Sequence, residues 1–415
     1  MKRARVYYEK RLVGELLAQD GIHYFSYDAD WLKDPLPLSP YQLPANPGVT
    51  SHNEGHFLTL PSLCHDSLPD RFGMMVLKKN LSEKGVHDPS PLQMLTCLGD
   101  RTMGALRYEP AEDASDTPDS VDLVNAARSA RQLMQHEHGP ELDPELDPAL
   151  LQAGGTAGGM MPKILASLSP DGESIVTGTN QIPAGWEPWL IKLNTQEKKE
   201  ATLIELEHAY FSMARQAGLR VPETRLIHDK NGLVHFAIKR FDREANDPNQ
   251  RIHIQTYAAL AGLNYQEPTS DYEDLLRLTK HLTRNHEDLC EQFRRMLFNV
   301  LAYNRDDHAK NSSFRMNEKG EWSLTPAYDL LYTDNDLGGN WMTIQGKRNN
   351  LKLDDFLQLA DLIGINPRQF NEMRQQMEDA FRQWPSFAKA SGIGPGLTKV
   401  VESSIQSMAE ALKGK

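Results

Sequence analysis

The 415-residue sequence predicts an α+β fold in two lobes, a small β-rich one followed by a larger helical one. Three observations carry this reading. Short apolar strand-like segments, EPWLIKLN (187–194) and VHFAIKRFDR (234–243) among them, fall before about residue 250. Helical spacing dominates from about residue 255 onward, as in LCEQFRRMLFNVLAYN (289–304). Strands first and helices after is the order of an α+β unit.

Taken in order, residues 3–27 read as a hairpin, RARVYYEK and GIHYFSYD flanking a turn-like KRLVGELL. LPLSPYQLPANPG (36–48) is proline-rich and irregular. SLPDRFGMMVLKKNLSEKG opens a helix with Asp70 as its N-cap. AEDASDTPDS (111–120) and ELDPELDP (141–148) read as acidic, solvated loops around a helix-like VDLVNAARSARQLMQ. The main body then opens on AGGTAGGMMPKILASLS, a Gly-rich loop running into a strand. A helix covers EKKEATLIELEHAYFSMARQAG and is closed by Gly218. Residues 353–413 are helical apart from turns near PSF and SGIGPG. The expected organisation is an N-terminal subdomain (1–110), an acidic linker with a helix (111–150), a sheet lobe with the Gly-rich loop (151–250) and a helical lobe (251–415).

The bulk composition narrows function by exclusion. With 39% hydrophobic and 25% charged residues, the chain has the balance of an ordinary globular protein. A net charge of −12 argues against nucleic acid as a default partner, since neutralising phosphates takes a basic surface. Three scattered cysteines with no CxxC pattern fit a reducing compartment. No apolar run approaches membrane length and the N-terminus lacks a signal-peptide core, so a cytoplasmic location is expected.

Four stretches carry chemistry. Lys192 shares a strand face with Leu190 in PWLIKL, and a lysine inside an apolar strand needs an anion unless it reaches water at an edge. Glu207 rides the apolar face of its helix, four residues after Leu203 and three before Tyr210. A strand Lys with an inward Glu is the pair that orients nucleotide phosphates in kinases. GGTAGGMMPK (154–163) has glycines that let backbone amides approach phosphate, but it lacks the Walker pattern, and taken alone such a loop is more often a flexible connector. NRDDHAKNSSF (304–314) and PAYDLL (326–331) supply the rest. Phosphoryl transfer needs a carboxylate to orient the attacking hydroxyl, oxygen ligands for Mg²⁺ and a cation for phosphate charge. Asp306 suits the first role, Asn311 and Asp329 the second, and Lys310 the third. Hard oxygen donors favour Mg²⁺ over zinc. Two other readings stand beside this one. The DDH cluster can be a capped, solvated turn, or Asp306, Asp307 and His308 can be the centre of a metal-dependent hydrolase. The second leaves Lys192, Glu207 and the Gly-rich loop without a role.

NRDDHAKNSSF, PAYDLL, GGTAGGMMPK, WLIKLN and IKRFDR together resemble HipA, the serine/threonine-kinase toxin family of bacterial type II toxin–antitoxin operons. RVYYEKRLVGELL, DSLPDRFG and GDRTMGALRYEP resemble that family's N-terminal subdomain, so the resemblance covers nearly the whole chain. It implies a distant protein-kinase fold, ATP and Mg²⁺ as cofactors, and a cytosolic protein substrate such as an aminoacyl-tRNA synthetase, whose phosphorylation favours growth arrest or persistence. It also implies a HipB-like helix-turn-helix antitoxin, with DNA bound only through that complex. Carried over by position, Asp306 is the proton acceptor. Gly158, Gly159, Met160, Met161, Pro162 and Lys163 form the nucleotide loop, with Lys192 and Glu207 behind it. Lys239, Arg240 and Phe241 form the hinge beside adenine. His308, Ala309, Lys310, Asn311, Tyr328 and Asp329 line the phosphates and metal, the last with Asn311 as metal ligands. Thr156 falls where the family carries an autophosphorylated Ser. The departures are this Thr for Ser and Lys239 where some members have Glu. No helix-turn-helix is read ahead of residue 3. A weakly active co-repressor of its own operon is the alternative from another functional class.

Overall fold

The structure, a computed structural model, describes residues 2–111, 119–136, 146–153, 159–177, 181–196, 203–334 and 338–411. Its first element is a meander rather than a hairpin: β1 (Arg3–Tyr8), β2 (Arg11–Gln19) and β3 (Ile22–Tyr27), extended by β4 (Val49–His52). The stretch read as turn-like is the nine-residue central strand β2. Its Gly14 reflects close approach, not a turn. A Cβ there would lie 2.2 Å from the Ser26 carbonyl oxygen and 2.7 Å from the Phe25 ring. Helices α1 (Ser62–His65), α2 (Arg71–Glu83) and α3 (Pro91–Leu98) follow, and β5 (Leu106–Glu109) completes an antiparallel sheet ordered β4-β3-β2-β1-β5.

The described residues of the segment read as a linker are packed, while most of its two acidic loops (112–118 and 137–145) lies outside the described residues. Helix α4 (Leu123–His136) and α5 (Pro148–Ala153), with Leu146 just ahead of the latter, bury Leu123, Ala126, Ala130, Leu133, Leu146 and Leu150 beneath the next sheet. The apolar stripe of VDLVNAARSARQLMQ outweighs the acidic flanks that suggested a solvated segment. That sheet holds β6 (Lys163–Leu168), β7 (Ile175–Thr177), β8 (Glu187–Lys192), β9 (Thr224–His228) and β10 (Val234–Lys239), ordered β7-β6-β8-β10-β9 and antiparallel throughout. Helix α6 (Leu203–Gln216) crosses it, and Gly218 at φ 82° turns the chain out just beyond.

A third, three-stranded sheet interrupts the helical part: β11 (His253–Thr256), β12 (Ser313–Met316) and β13 (Trp322–Leu324). These strands are three or four residues long, too short for a periodic signal. Around them pack α7 (Tyr257–Ala261), α8 (Tyr272–Thr283), α9 (His286–Leu301), α10 (Leu353–Ile363), α11 (Pro367–Phe381), α12 (Trp384–Ala390) and α13 (Pro395–Ala411). PSF lies inside α12, with Pro385 in its first turn, where a missing N–H costs nothing. A further break falls at Gly364, φ 90°, which caps α10. The α+β expectation holds. One core joins the first sheet to α6 and the helical part, and a smaller one joins α2, α4 and α5 to β6 and β8. Among the described residues, no helix is long and apolar enough to cross a membrane.

Candidate active site

Strand register sets up the site's first tension. Lys163 of β6 and Lys192 of β8 are direct cross-strand partners, a pairing of like charges that destabilises a sheet unless anions intervene. Two carboxylates do. Lys192 Nζ lies 2.7 Å from each oxygen of Glu207 on α6 and 2.8 Å from Oδ1 of Asp329. Burial opposes the charge on Lys192, but Asp329 and Glu207 outweigh it and hold the ammonium protonated beyond the usual lysine range. Burial opposes the ionisation of Asp329 as well, yet Lys192 and Lys163 keep its carboxyl far below the usual value. Glu207 has no solvent exposure, and that burial lifts it to about 6 despite Lys192. Burial and the neighbouring Lys192 lower Lys163 to about 8. Asp329 sits at φ 55°, a left-handed backbone a non-glycine residue adopts only where its surroundings enforce it.

The 304–311 loop follows α9 through Tyr303, itself at φ 61°. Its two adjacent aspartates have different surroundings. Asp307 is buried and accepts from Tyr272 Oη (2.7 Å), Asn340 Nδ2 (3.2 Å) and the backbone N–H groups of Trp341 (2.6 Å) and Met342 (3.4 Å). Asp306 is only partly buried. That burial raises its carboxyl, with His308 lowering it and Asp329 raising it further. Asn311 donates from Nδ2 to the Asp306 carbonyl at 2.8 Å, closing the loop on itself and leaving its amide oxygen as the side chain's lone-pair atom. Ala309–Asn311 form a 3₁₀ turn that carries Lys310 inward. His308 packs between the Tyr265 and Trp341 rings. An Asp306–Asp307–His308 metal triad does not form, because Asp307 is consumed by its four donors. Among the described residues no cluster of three or more His, Cys, Asp or Glu could hold a metal.

Lys163, Lys192, His308, Lys310, Asn311 and Asp329 line one cleft, whose apolar walls include Leu68, Met103, Leu190, Ile238 and Ile254. Phe241 stacks on Tyr328, ring centroids 5.7 Å apart, while the Tyr328 hydroxyl donates to the Lys310 carbonyl at 2.6 Å. Lys239 and Arg240 reach the cleft with their side chains engaged elsewhere. Lys239 pairs with Glu187 and Glu223, and Arg240 is held by both oxygens of Asp242. Gly159 stands at φ 97°, a backbone that favours glycine, and Lys163 Nζ occupies the space a Cβ would take. Met160 is exposed, Met161 packs on the core, and the Pro162 carbonyl accepts from the Leu193 N–H at 2.8 Å. Thr156 and Gly158 lie outside the described residues.

Two carboxylates of the cleft escape a sequence reading of the site confined to 154–329. Asp66 accepts from the Thr256 N–H (2.7 Å) and hydroxyl (2.8 Å). Asp70, read as an N-cap, makes no side-chain capping bond to α2. Its carboxylate is taken instead by Lys310, Gly159 and Tyr265. The signal for both is DSLPDRFG, where two carboxylates bracket a short turn.

Comparison with known proteins gives the family. The HipA N-terminal domain matches residues 4–109, and the HipA-like C-terminal domain matches residues 155–384, more than half of the chain. Y4dM of Sinorhizobium fredii, which carries a provisional kinase name, is 32% identical over 158 residues, 35% of this chain and 37% of that protein. Toxin YjjJ of Escherichia coli is 26% identical over 193 residues, 45% of this chain and 40% of that protein. These alignments thus span about two-fifths of the relatives' lengths. The Shewanella oneidensis HipA, solved with HipB and operator DNA, shares the fold with a TM-score of 0.70 at 18% identity, over 99% of this chain and 97% of that one. The chain belongs to the HipA family.

Proposed function

We propose that this chain is an ATP- and Mg²⁺-dependent serine/threonine protein kinase and the toxin partner of a HipB-like antitoxin. The observation that carries the reading is the convergence of Lys192, Glu207 and Asp329 on the cleft lined by Lys310 and Asn311. Asp306 would accept the proton of a substrate hydroxyl, its raised carboxyl tuned towards that task. Lys163, Lys192 and Lys310 offer three ammonium groups to phosphate oxygens, and the stacked Phe241 and Tyr328 with Ile238 and Leu190 form an apolar seat for a flat base. The Asn311 amide oxygen and the Asp329 carboxylate are hard donors of the kind Mg²⁺ takes, so these two residues would hold it. When bound, the ion supplies positive charge that neutralises phosphate. Thr156, on the Gly-rich loop, would be the self-phosphorylated residue that limits activity. A phosphate there adds close to two negative charges and would draw the loop away from bound ATP.

The deciding experiment is transfer from γ-labelled ATP with Mg²⁺ by the full chain, beside Asp306→Asn. Label on protein Ser or Thr from the wild type, lost in the variant, is the expected result. Equal labelling by both removes Asp306 from the chemistry, and no labelling by the wild type sinks the kinase reading. Mass spectrometry of the same sample tests Thr156. Duplex DNA should be retained only in the presence of the antitoxin, given the net charge of −12.

A further inference from the structure

We propose that Asp70 is a positioning residue of the phosphate site, holding the Lys310 ammonium and the Gly-rich segment in register from outside the kinase-like part of the chain. The inference rests on the kinase reading above. Asp70 lies within the region matched by the HipA N-terminal domain, whereas its partners come from residues 159, 265 and 310.

The geometry uses both oxygens of one carboxylate. Oδ1 accepts from Lys310 Nζ at 2.5 Å and from Tyr265 Oη at 3.1 Å, and Oδ2 accepts from the Gly159 N–H at 2.7 Å. The Tyr265 ring adds a second hold on the lysine, with Nζ 4.7 Å from its centroid. The Asp70 and Lys310 side chains are 16% and 9% exposed, so water competes little for this pair. A free lysine side chain samples many rotamers, and this cage removes that freedom before a nucleotide arrives. Asp70 stands at the N-cap position of α2, where a carboxylate ordinarily bonds the first-turn amides, and it makes no such bond. A residue that forgoes its local partners for three distant ones is arranged for them.

Charge gives the proposal its direction. A bare carboxylate beside a triphosphate would repel it, but Lys310 neutralises Asp70. Asp70→Asn keeps one carbonyl oxygen for the Gly159 N–H, while its amide NH2 replaces the oxygen that meets Lys310 and Tyr265 and so removes the anion that aims Lys310. Lys310 is then left with its full charge but no fixed direction. The KM for ATP should therefore stay level or fall, while kcat drops by about tenfold to a hundredfold, the scale of a misplaced catalytic group.

The test is a double-mutant cycle in the full chain with γ-labelled ATP, using Asp70→Asn, Lys310→Met and the pair, with Asp70→Glu as the charge-retaining control. Hydrogen exchange over residues 159–168 and thermal melts accompany it, since neither depends on turnover. If Asp70 acts through Lys310, the pair should be no slower than Lys310→Met alone. Asp70→Glu should recover part of kcat, and exchange near Gly159 should rise in Asp70→Ala, which lacks the acceptor. Multiplied losses in the pair, or a fall in kcat matched by loss of folded protein, would make Asp70 merely structural and overturn the proposal. An active wild type with an unchanged Asp70→Asn sinks the proposal alone. An inactive wild type sinks the kinase reading and this inference with it.

Discussion

Lys192 and Glu207 are joined through both carboxylate oxygens at 2.7 Å, with side chains 6% and 1% exposed. A buried pair of this kind is weak evidence of net stability, because two ions had to leave water, but breaking it on one side is severe.

Lys192→Met should therefore destabilise the protein by about 3–5 kcal/mol at neutral pH, since it leaves Glu207 and Asp329 facing each other unpaired. The pH dependence has a definite sign. Glu207 already stands at about 6, and loss of the lysine raises it further. A carboxyl raised in the folded state favours folding when protonated, and that contribution is lost as pH rises through the folded pKa. The variant should accordingly close part of its stability gap to wild type between pH 8 and pH 5. Melting curves at both ends of that window test this, and parallel behaviour of the two proteins refutes it.

Asp306→Asn should leave melting temperature and ATP binding near wild type while slowing phosphoryl transfer roughly a hundredfold or more. Asp307→Asn should do the reverse. Its four donors would meet an amide whose own N–H groups conflict with them, lowering stability by about 1–3 kcal/mol with a smaller effect on turnover per folded molecule. Should Asp307→Asn be the variant that abolishes turnover in a fully folded sample, the roles given to the two aspartates are reversed.

What could be read from the sequence followed local rules. Glu207 is legible because a charge on an apolar helix face needs a partner, which Lys192 supplies, and the closeness of Asp306 and Asn311 follows from their place on a single short loop. Asp70 was hidden by an explanation that fitted locally, since Asp before a helix reads as a cap and its true partners lie 89 to 240 residues away. Gly14 failed for a similar reason: glycine between apolar residues signals a turn unless the neighbouring strand is known to press against it. Helix α4 is legible from its apolar spacing, but its burial depends on a sheet formed later in the chain.

Asp329→Ala should abolish the rise in melting temperature that ATP and Mg²⁺ together produce, because Asn311 alone cannot hold the ion firmly. Without ligand the variant loses one partner of Lys192 but leaves the ammonium held by both oxygens of Glu207, so its own melting temperature should change less than that of Lys192→Met. Differential scanning fluorimetry with and without Mg²⁺–ATP decides. An undiminished ligand-induced shift would remove Asp329 from the metal site.

The last prediction concerns His253, at 1% exposure between the Tyr8 and Trp322 rings, with Nε2 2.9 Å from the Leu38 carbonyl. Accepting carbonyl and buried ring together require the neutral form with the proton on Nε2. Burial pushes its pKa down to about 4, the backbone bond only partly offsetting this. The unfolded chain takes up the proton near the ordinary histidine value of about 6.5 and the folded chain does not. Stability from this residue is thus fully present above pH 6.5 and is lost as pH falls towards 4, by roughly 3 kcal/mol across the window. His253→Gln retains a donor for Leu38 but cannot titrate. Its melting temperature, set against wild type at each pH, should lie below at pH 7 because an aromatic contact is lost. The gap should then narrow steadily as the buffer is brought from pH 6.5 to pH 4. A constant difference over that range would mean His253 takes up its proton without opposing the fold.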